Sequence, residues 1–270
     1  MRSVFFISDR TGITTESLGA ALLTKFPSIE FHKESLPFID SETKVAQALL
    51  KIKKRHNVDG SRPIILTSIT NPELRDKFEL PFALHIDFFQ EFIPKLEHEL
   101  ATIATSIVGV SHGMGDPEKY NSRIAAIDFA LINDDGISVK NFEEADVILV
   151  GVSRVAKTPT CIYLATNYGI KAANYPFAEL DLINMHLPKI LNPFREKLFG
   201  LSTDASRLHN VREERLPNTH YSSLANCEFE VAAAEKLMYN DGIEYVNTSH
   251  KSIEEIAVAI IQQVKIPRKF

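Results

Sequence analysis

The stretch that most constrains the fold is residues 147–160, a short apolar run that meets a glycine and then a Lys-Thr pair. It reads VILVGVSRVAKTPT, with Gly151 directly after the apolar run and Lys157-Thr158 at the start of a predicted helix. A strand, a glycine-containing turn, a lysine and a Ser/Thr at a helix N-terminus form the layout of a phosphate-binding P-loop. Backbone N–H groups of such a turn, together with the helix dipole, favour an anion. The sequence therefore predicts a phosphate site within an α/β fold.

The residues of this loop have separate predicted roles. Lys157 would bring a positive charge to a terminal phosphate, and the hydroxyl of Thr158 would be a ligand for Mg²⁺. Pro159 suits the first turn of a helix, where its missing N–H leaves no hydrogen bond unmade. The residues predicted to contact the ligand are Gly151, Val152, Ser153, Arg154, Val155, Ala156, Lys157 and Thr158.

One position departs from the usual motif, which has a second glycine immediately before the lysine. This chain has Ala156 there. Alanine is less stable than glycine in a left-handed backbone, so either the turn needs no positive φ at this position or the loop is modified. An ordinary strand–turn–helix with a surface lysine would give the same pattern. The motif alone leaves both interpretations open.

Composition excludes several classes of protein. Thirty Lys+Arg against 35 Asp+Glu give a net charge of −5, which argues against a nucleic-acid-binding body. Cys161 and Cys227 lie far apart without metal-ligand spacing, which favours a reducing compartment, and we expect Cys161 to be buried. No apolar stretch approaches the roughly 20 residues of a membrane span, and no signal peptide is visible. We expect a cytoplasmic protein with no membrane partner.

Apolar runs alternate with helical periodicity along the chain, which predicts an α/β fold of mostly parallel sheets with flanking helices. Predicted strands cover 4–7, 63–67, 84–87, 147–150, 171–174, 198–201 and 245–247. Predicted helices cover 17–26, 41–56, 89–105, 123–132, 206–215, 228–239 and 253–264, with a short one after Asn71-Pro72 and another after the loop. Turn-rich residues interrupt the alternation within 106–120. We therefore expect an N-terminal α/β domain over 1–110 and a C-terminal P-loop domain over 111–270.

Polar residues outside the loop are further candidates for the site. Asp9 follows the first strand, where parallel sheets place ligands, but it would equally stabilise a turn beside a helix capped by Thr14 or Thr15. His112 and Asp116 would be catalytic or belong to a connection between domains.

Two features near residue 204 have similar alternatives. Asp204, after a predicted strand, would ligate magnesium or cap the next helix. In that helix Arg207, Arg212 and Arg215 would bind phosphates or an acidic partner, or form a solvated face paired with Glu213 and Glu214.

Several segments together resemble a known family, the regulatory proteins of phosphoenolpyruvate synthase and of pyruvate, phosphate dikinase. They are residues 6–16, 120–136, 151–160, 172–177 and 212–215, which span nearly the whole chain in order. Within the family, His112-Gly113, residues 125–128 and residues 173–177 are similar to the synthase-regulator branch.

The resemblance implies a bifunctional enzyme. One activity would transfer the β-phosphoryl group of ADP to a threonine of the target enzyme and inactivate it. The other would use inorganic phosphate to remove that group and release pyrophosphate. The implied partners are phosphoenolpyruvate synthase, ADP, inorganic phosphate and Mg²⁺, with a homodimer left open.

For that chemistry the loop would hold the ADP phosphates, with Lys157 on the β-phosphate and Thr158 on Mg²⁺. Arg154 would stabilise charge on the transferred group. The candidates for the base are His112, Asp116 and Asp9. Regulation of the dikinase by the same chemistry, a small-metabolite kinase and a non-catalytic ADP sensor remain alternatives.

Overall fold

The computed structural model describes residues 1–105, 117–136 and 141–264. The chain divides into two compact units, Met1–His112 and Gly113–Phe270. Each unit contains a four-stranded, all-parallel sheet flanked by helices, which confirms the predicted α/β class. The expected boundary at residue 110 lies outside the described residues and stays a prediction.

The sheet of the first unit has the strand order β2-β1-β3-β4. Its strands are β1 (Arg2–Ser8), β2 (Phe31–Leu36), β3 (Ile64–Ser68) and β4 (Leu84–Asp87). Its helices are α1 (Ile13–Leu23), α2 (Glu42–Asp59), α3 (Pro72–Arg75) and α4 (Phe88–Leu100). Alternate residues of β1 point to opposite faces, because successive side chains of a strand alternate. Phe5 and Ile7 belong to one apolar cluster, and Val4 and Phe6 to another.

The sheet of the second unit has the order β6-β5-β7-β8. Its strands are β5 (Val147–Gly151), β6 (Ala172–Pro176), β7 (Leu198–Ser202) and β8 (Tyr245–Asn247). Its helices are α5 (Pro117–Ile132), α6 (Lys157–Tyr168), α7 (Glu179–Asn184), α8 (Ala205–Arg215), α9 (Leu224–Asn240) and α10 (Ile253–Val264). Short 3₁₀ turns cover Asp134–Gly136, Phe142–Glu144 and Lys189–Lys197.

The two sheets share one topology, since in each the first strand lies between the second and third and the fourth forms an edge. All four apolar residues 147–150 of β5 are buried, as a central parallel strand covered on both faces requires. The loop that follows β5 therefore emerges between β6 and β7, where the strand order reverses. Open α/β sheets place their ligands at this point.

Several predicted elements are confirmed almost residue for residue. β4, β8 and α10 have the predicted bounds. The start of α10 is a capping box, in which the Ser252 N–H donates to Glu255 Oε2 at 2.8 Å and the Glu255 N–H donates to Ser252 Oγ at 3.3 Å. No helix among the described residues is both long and apolar enough to cross a membrane.

Other predictions are wrong at the ends of elements. Helix α1 begins at Ile13 with Gly12 (φ 75°) as its N-cap, so neither Thr14 nor Thr15 caps it. Thr15 is buried and hydrogen-bonded to Ser68 instead. Tyr175 and Pro176 extend β6 rather than forming a turn, and α4 ends at Leu100 instead of reaching residue 105. The sequence patterns did not predict strand β2 or helix α7.

Candidate functional site

The loop that joins β5 to α6 begins with a glycine that no other residue can replace without a shift. Gly151 has φ 143°, and a Cβ atom there would lie 2.2 Å from the carbonyl oxygen of Leu201 on β7. The close approach of β5 and β7 thus depends on the missing side chain, and it fixes where the loop leaves the sheet.

Two residues of the loop that carry side chains adopt left-handed backbone conformations. Arg154 has φ 79°, and Ala156, the N-cap of α6, has φ 67°. The turn therefore does need a positive φ at the position where the usual motif has glycine, so that alternative from the sequence is wrong. Such conformations cost free energy for residues with a Cβ atom and persist only where surrounding contacts impose them.

Lys157 is not a surface lysine. Its side chain is buried, and Nζ donates hydrogen bonds to the carbonyl oxygens of Val152 at 2.8 Å and of Gly151 at 3.2 Å. Burial lowers the pKa of Lys157 to about 8. The nearby carboxylates of Asp135 and Asp134 act in the opposite direction and raise this pKa, but their effect is smaller. The ammonium group therefore lies within the curve of the loop, held by the backbone that a phosphate would approach.

Thr158 is joined to residues that precede β5. Its Oγ1 donates a 2.8 Å hydrogen bond to Asp134 Oδ1, and Asn174 Nδ2 donates to the same carboxylate oxygen. Asn174 Oδ1 in turn accepts from the backbone N–H of Asp135 at 3.1 Å. The buried amide of Asn174 on β6 thus holds both aspartates against the start of α6.

A cavity of about 460 Å³ opens above this loop. One wall consists of Asp135 and the loop with the first turn of α6, residues 153–159. Polar and cationic residues also line the cavity, namely Thr203, Arg207, Thr248, Lys251 and Ser252. The remaining lining is aliphatic, from Leu208, Val211, Ile253 and Ile256. A pocket with anion-binding groups at one end and an aliphatic surface beside them is suited to a phosphorylated organic ligand.

The structure places only some of the predicted site residues at the cavity. The whole predicted loop, from Gly151 to Thr158, lies at the cavity or directly behind it. Asp9 lies in the first unit, where its Oδ2 accepts from the N–H of Thr70, 61 residues away in sequence, at 2.8 Å. His112 and Asp116 lie outside the described residues.

The three arginines of α8 differ in burial and in contacts. Arg212 has no exposed surface and pairs with Glu230 at 2.6 Å, so the interpretation of a solvated face is wrong for this residue. Arg207 lines the cavity and donates to the Ser249 carbonyl, whereas Arg215 is exposed. The expectation that all three bind a phosphate or a partner is likewise wrong for Arg212, whose guanidinium is enclosed by protein.

Asp204 is the N-cap residue of α8, but its side chain makes no capping hydrogen bond and accepts from Asn247 Nδ2 at 2.9 Å. In the part of the chain that the structure describes, no three His, Cys, Asp or Glu side chains are grouped so as to hold a metal ion. Both cysteines are buried, and burial raises the pKa of each thiol.

Sequence reasoning missed Asp134 and Asp135 as site residues. They lie in the Asn133–Gly136 segment, whose Asn-Asp-Asp-Gly composition is typical of a turn, and Asp134 is 24 residues from the threonine that it contacts. The available signal was two adjacent carboxylates in a turn, which is too weak to assign a site.

Comparison with known proteins decides the family. Residues 4–261 match the family model described as kinase/pyrophosphorylase. The chain belongs to the kinase/pyrophosphorylase family.

Curated relatives match essentially the full length of this chain. A protein of Laribacter hongkongensis is 50% identical over 270 residues, which is 100% of this chain and 98% of the relative. One from Legionella pneumophila strain Corby is 43% identical over 268 residues, 99% of each chain. One from Neisseria meningitidis strain FAM18 is 44% identical over 269 residues, 100% of this chain and 98% of the relative. Each of the three is named as a phosphoenolpyruvate synthase regulatory protein.

Proposed function

We propose that this kinase/pyrophosphorylase regulates phosphoenolpyruvate synthase by transferring the β-phosphoryl group of ADP to a threonine of that enzyme. In the opposite direction it transfers the same group from phosphothreonine to inorganic phosphate and releases pyrophosphate. The names of the full-length relatives support the target. The observation that carries the chemistry is the left-handed loop after β5, with Lys157 buried inside it and Thr158 beside Asp134.

Phosphate binding falls to the backbone of the loop and to two cations. The N–H groups at the start of α6 and the helix dipole favour the negative charge of the diphosphate. Lys157 exchanges a loop carbonyl for an oxygen of the β-phosphate, and the exposed Arg154 stabilises charge that develops on the transferred group. The aliphatic wall formed by Leu208, Val211, Ile253 and Ile256 covers the adenosine.

The residues present fit a magnesium ion bound together with the diphosphate. Thr158 Oγ1 and Asp134 Oδ1 lie 2.8 Å apart, and both are oxygen atoms of the kind that ligate metal ions. Mg²⁺ prefers one or two protein oxygens, and phosphate and water complete its coordination. Thr158 and Asp134 are therefore the residues that would hold it. When bound, the ion neutralises charge on the phosphate oxygens. Asn174 keeps the carboxylate of Asp134 in place.

Asp135 is the best-placed base for the target threonine. It lines the cavity, and its backbone is held in a left-handed conformation (φ 50°) by Asn174, which is the kind of strain found at functional sites. During transfer the threonine Oγ forms a bond to the β-phosphorus, the bond from that phosphorus to the bridging oxygen breaks, and AMP leaves. The hydroxyl proton passes to the Asp135 carboxylate.

In the reverse direction an oxygen of inorganic phosphate attacks the phosphothreonine phosphorus. The bond to the threonine oxygen breaks and pyrophosphate forms, while Asp135 takes the proton of the attacking hydrogenphosphate and passes it to the threonine oxygen. Arg207 and Lys251, which also line the cavity, supply the positive charge that attracts the phosphorylated segment.

The test is a transfer assay with ADP labelled in its β-phosphate and purified phosphoenolpyruvate synthase. Label is expected on a synthase threonine, and it should leave as pyrophosphate when inorganic phosphate is added. Lys157→Ala should abolish transfer while the circular dichroism spectrum stays that of the wild type. Transfer by this variant at the wild-type rate would overturn the assignment of the loop.

The same assay separates the alternatives. Label that appears on pyruvate, phosphate dikinase and not on the synthase would change the target. ADP binding without transfer to either enzyme would make the protein a nucleotide sensor.

A further inference from the structure

Arg212 of α8 is an arginine with no exposed surface, and it contacts the P-loop from behind. Its Nη2 donates to the backbone carbonyl of Ser153 at 3.2 Å and to Glu230 Oε2 at 2.6 Å. Its Nη1 donates to the backbone carbonyl of Tyr221 at 3.1 Å. The guanidinium also stacks on the ring of Tyr221, with its central carbon 4.0 Å from the ring centroid.

Ser153 is therefore held at two points. Arg212 binds its carbonyl oxygen, and the hydroxyl of Tyr221 donates to its Oγ at 3.1 Å. Ser153 immediately precedes Arg154, the first of the two left-handed residues of the loop, and Ala156 is the second. The side chains of Arg212 and Tyr221 thus act on the loop at the place where its strained conformation begins.

We propose that Arg212 and Tyr221 form a clamp that imposes the left-handed conformation of the P-loop and so positions its N–H groups for a diphosphate. The clamp deepens the proposed function and rests on it for the identity of the ligand. Both members are positioning residues, because neither lines the cavity and both act through Ser153.

The burial of Arg212 constrains the geometry of its contact with the loop. A buried guanidinium is costly unless its donors are paired, and the planar fork of arginine fixes the directions of those hydrogen bonds. Glu230 supplies the opposite charge, and Asn226 Nδ2 donates to its other carboxylate oxygen at 2.9 Å. The other acceptors of the fork are the backbone carbonyls of Ser153 and Tyr221 and, at 4.0 Å, the sulfur of Cys227, while Nε has no hydrogen-bond partner among the described residues.

The decisive variant is Tyr221→Phe, which removes only the hydroxyl and keeps the ring against Arg212. We expect the dissociation constant for ADP to rise about fivefold, the value of one ordinary hydrogen bond. Hydrogen exchange of the backbone amides of 152–158 should become faster without any nucleotide present. The melting temperature should change little, because the ring still fills its place.

A second substitution distinguishes a clamp from general support of the fold. Ala156→Gly removes the cost of the left-handed conformation at that residue, so the loop should need the clamp less. In the Tyr221→Phe background it should restore most of the lost affinity and slow the exchange again. The matched control is Ala101→Gly, at another left-handed alanine (φ 48°) that ends α4 in the first unit. It should restore neither.

The outcomes are separable from those of the proposed function. If wild-type protein does not bind ADP, the proposed function fails, while amide exchange of the nucleotide-free loop still tests the clamp. Unchanged exchange in Tyr221→Phe would overturn the clamp, and so would equal rescue by Ala156→Gly and Ala101→Gly. A Ser153→Ala variant that adds its full effect to that of Tyr221→Phe would also overturn it, since both remove the same hydrogen bond.

Discussion

Thr158 and Asp134 share a 2.8 Å hydrogen bond that joins the first turn of α6 to a turn 24 residues earlier in the chain. The pair places one neutral and one charged oxygen at the N-terminus of a helix, beside the buried Lys157. This arrangement makes the turn before β5 part of the site, although it belongs to no strand of the sheet.

Asp134→Asn should weaken ADP binding about tenfold in the presence of Mg²⁺ and change it little when the metal is chelated. The reason is that the amide keeps the shape of the side chain and loses the negative charge that favours the ion. Isothermal titration with and without EDTA measures both values. Equal weakening in the two conditions would show that Asp134 does not act on the metal.

Asp135→Asn should lower kcat for target phosphorylation by roughly 10² to 10⁴-fold while ADP binds as in the wild type. The amide cannot accept the hydroxyl proton, whereas the backbone contact from Asn174 is unaffected. Rapid-quench kinetics with labelled ADP gives the rate. A rise in KM for ADP at constant kcat would assign Asp135 to binding instead of proton transfer.

Titration of Lys157 should make the free energy of unfolding depend on pH in the alkaline range. Its folded-state pKa of about 8 lies below the ordinary value of 10.5, so between these pH values the unfolded chain binds more protons and stability rises with pH. The full shift corresponds to about 3 kcal/mol. Urea unfolding at pH 7 and pH 10 should show most of this gain relative to Lys157→Met, which lacks the titrating group. Parallel changes in both proteins would contradict the lowered pKa.

Gly151→Ala should destabilise the second unit by about 3 kcal/mol or more, because the new methyl group would meet the Leu201 carbonyl oxygen at 2.2 Å. Gly242→Ala is the matched control. It also has a positive φ (68°) but nothing within 4 Å of the added atom, so only the backbone cost of about 1 kcal/mol applies. Chemical denaturation of both variants gives the comparison, and equal losses would refute the steric argument.

The sequence predicted those parts of the fold and site that depend on neighbouring residues. β5 was identifiable because it is a continuous apolar run, and the loop because glycine, lysine and threonine follow at fixed spacing. β2 was missed since its six residues, FHKESL, include four polar ones and lie at an edge of the sheet, where burial is partial.

The parts that could not be predicted depend on residues distant in sequence. Arg212 lies within an Arg-Glu-Glu-Arg run that indicates a solvated helix face. Its burial follows from the packing of α8 against α9, where Glu230 pairs with it, and no local pattern reports that contact. The contact between Asp134 and Thr158 likewise joins residues distant in sequence, and Asn174 of β6 donates to both of them.

The position of Arg212 along the chain also sets the order in which the site can be made on the ribosome. It follows Ser153 by 59 residues, and β7, a neighbour of β5, is likewise translated after the loop. Domains fold as their segments emerge, so the loop leaves the ribosome before the residues that constrain it. The candidate site is therefore completed late in synthesis, and a fragment that stops short of residue 212 carries the loop without the proposed clamp.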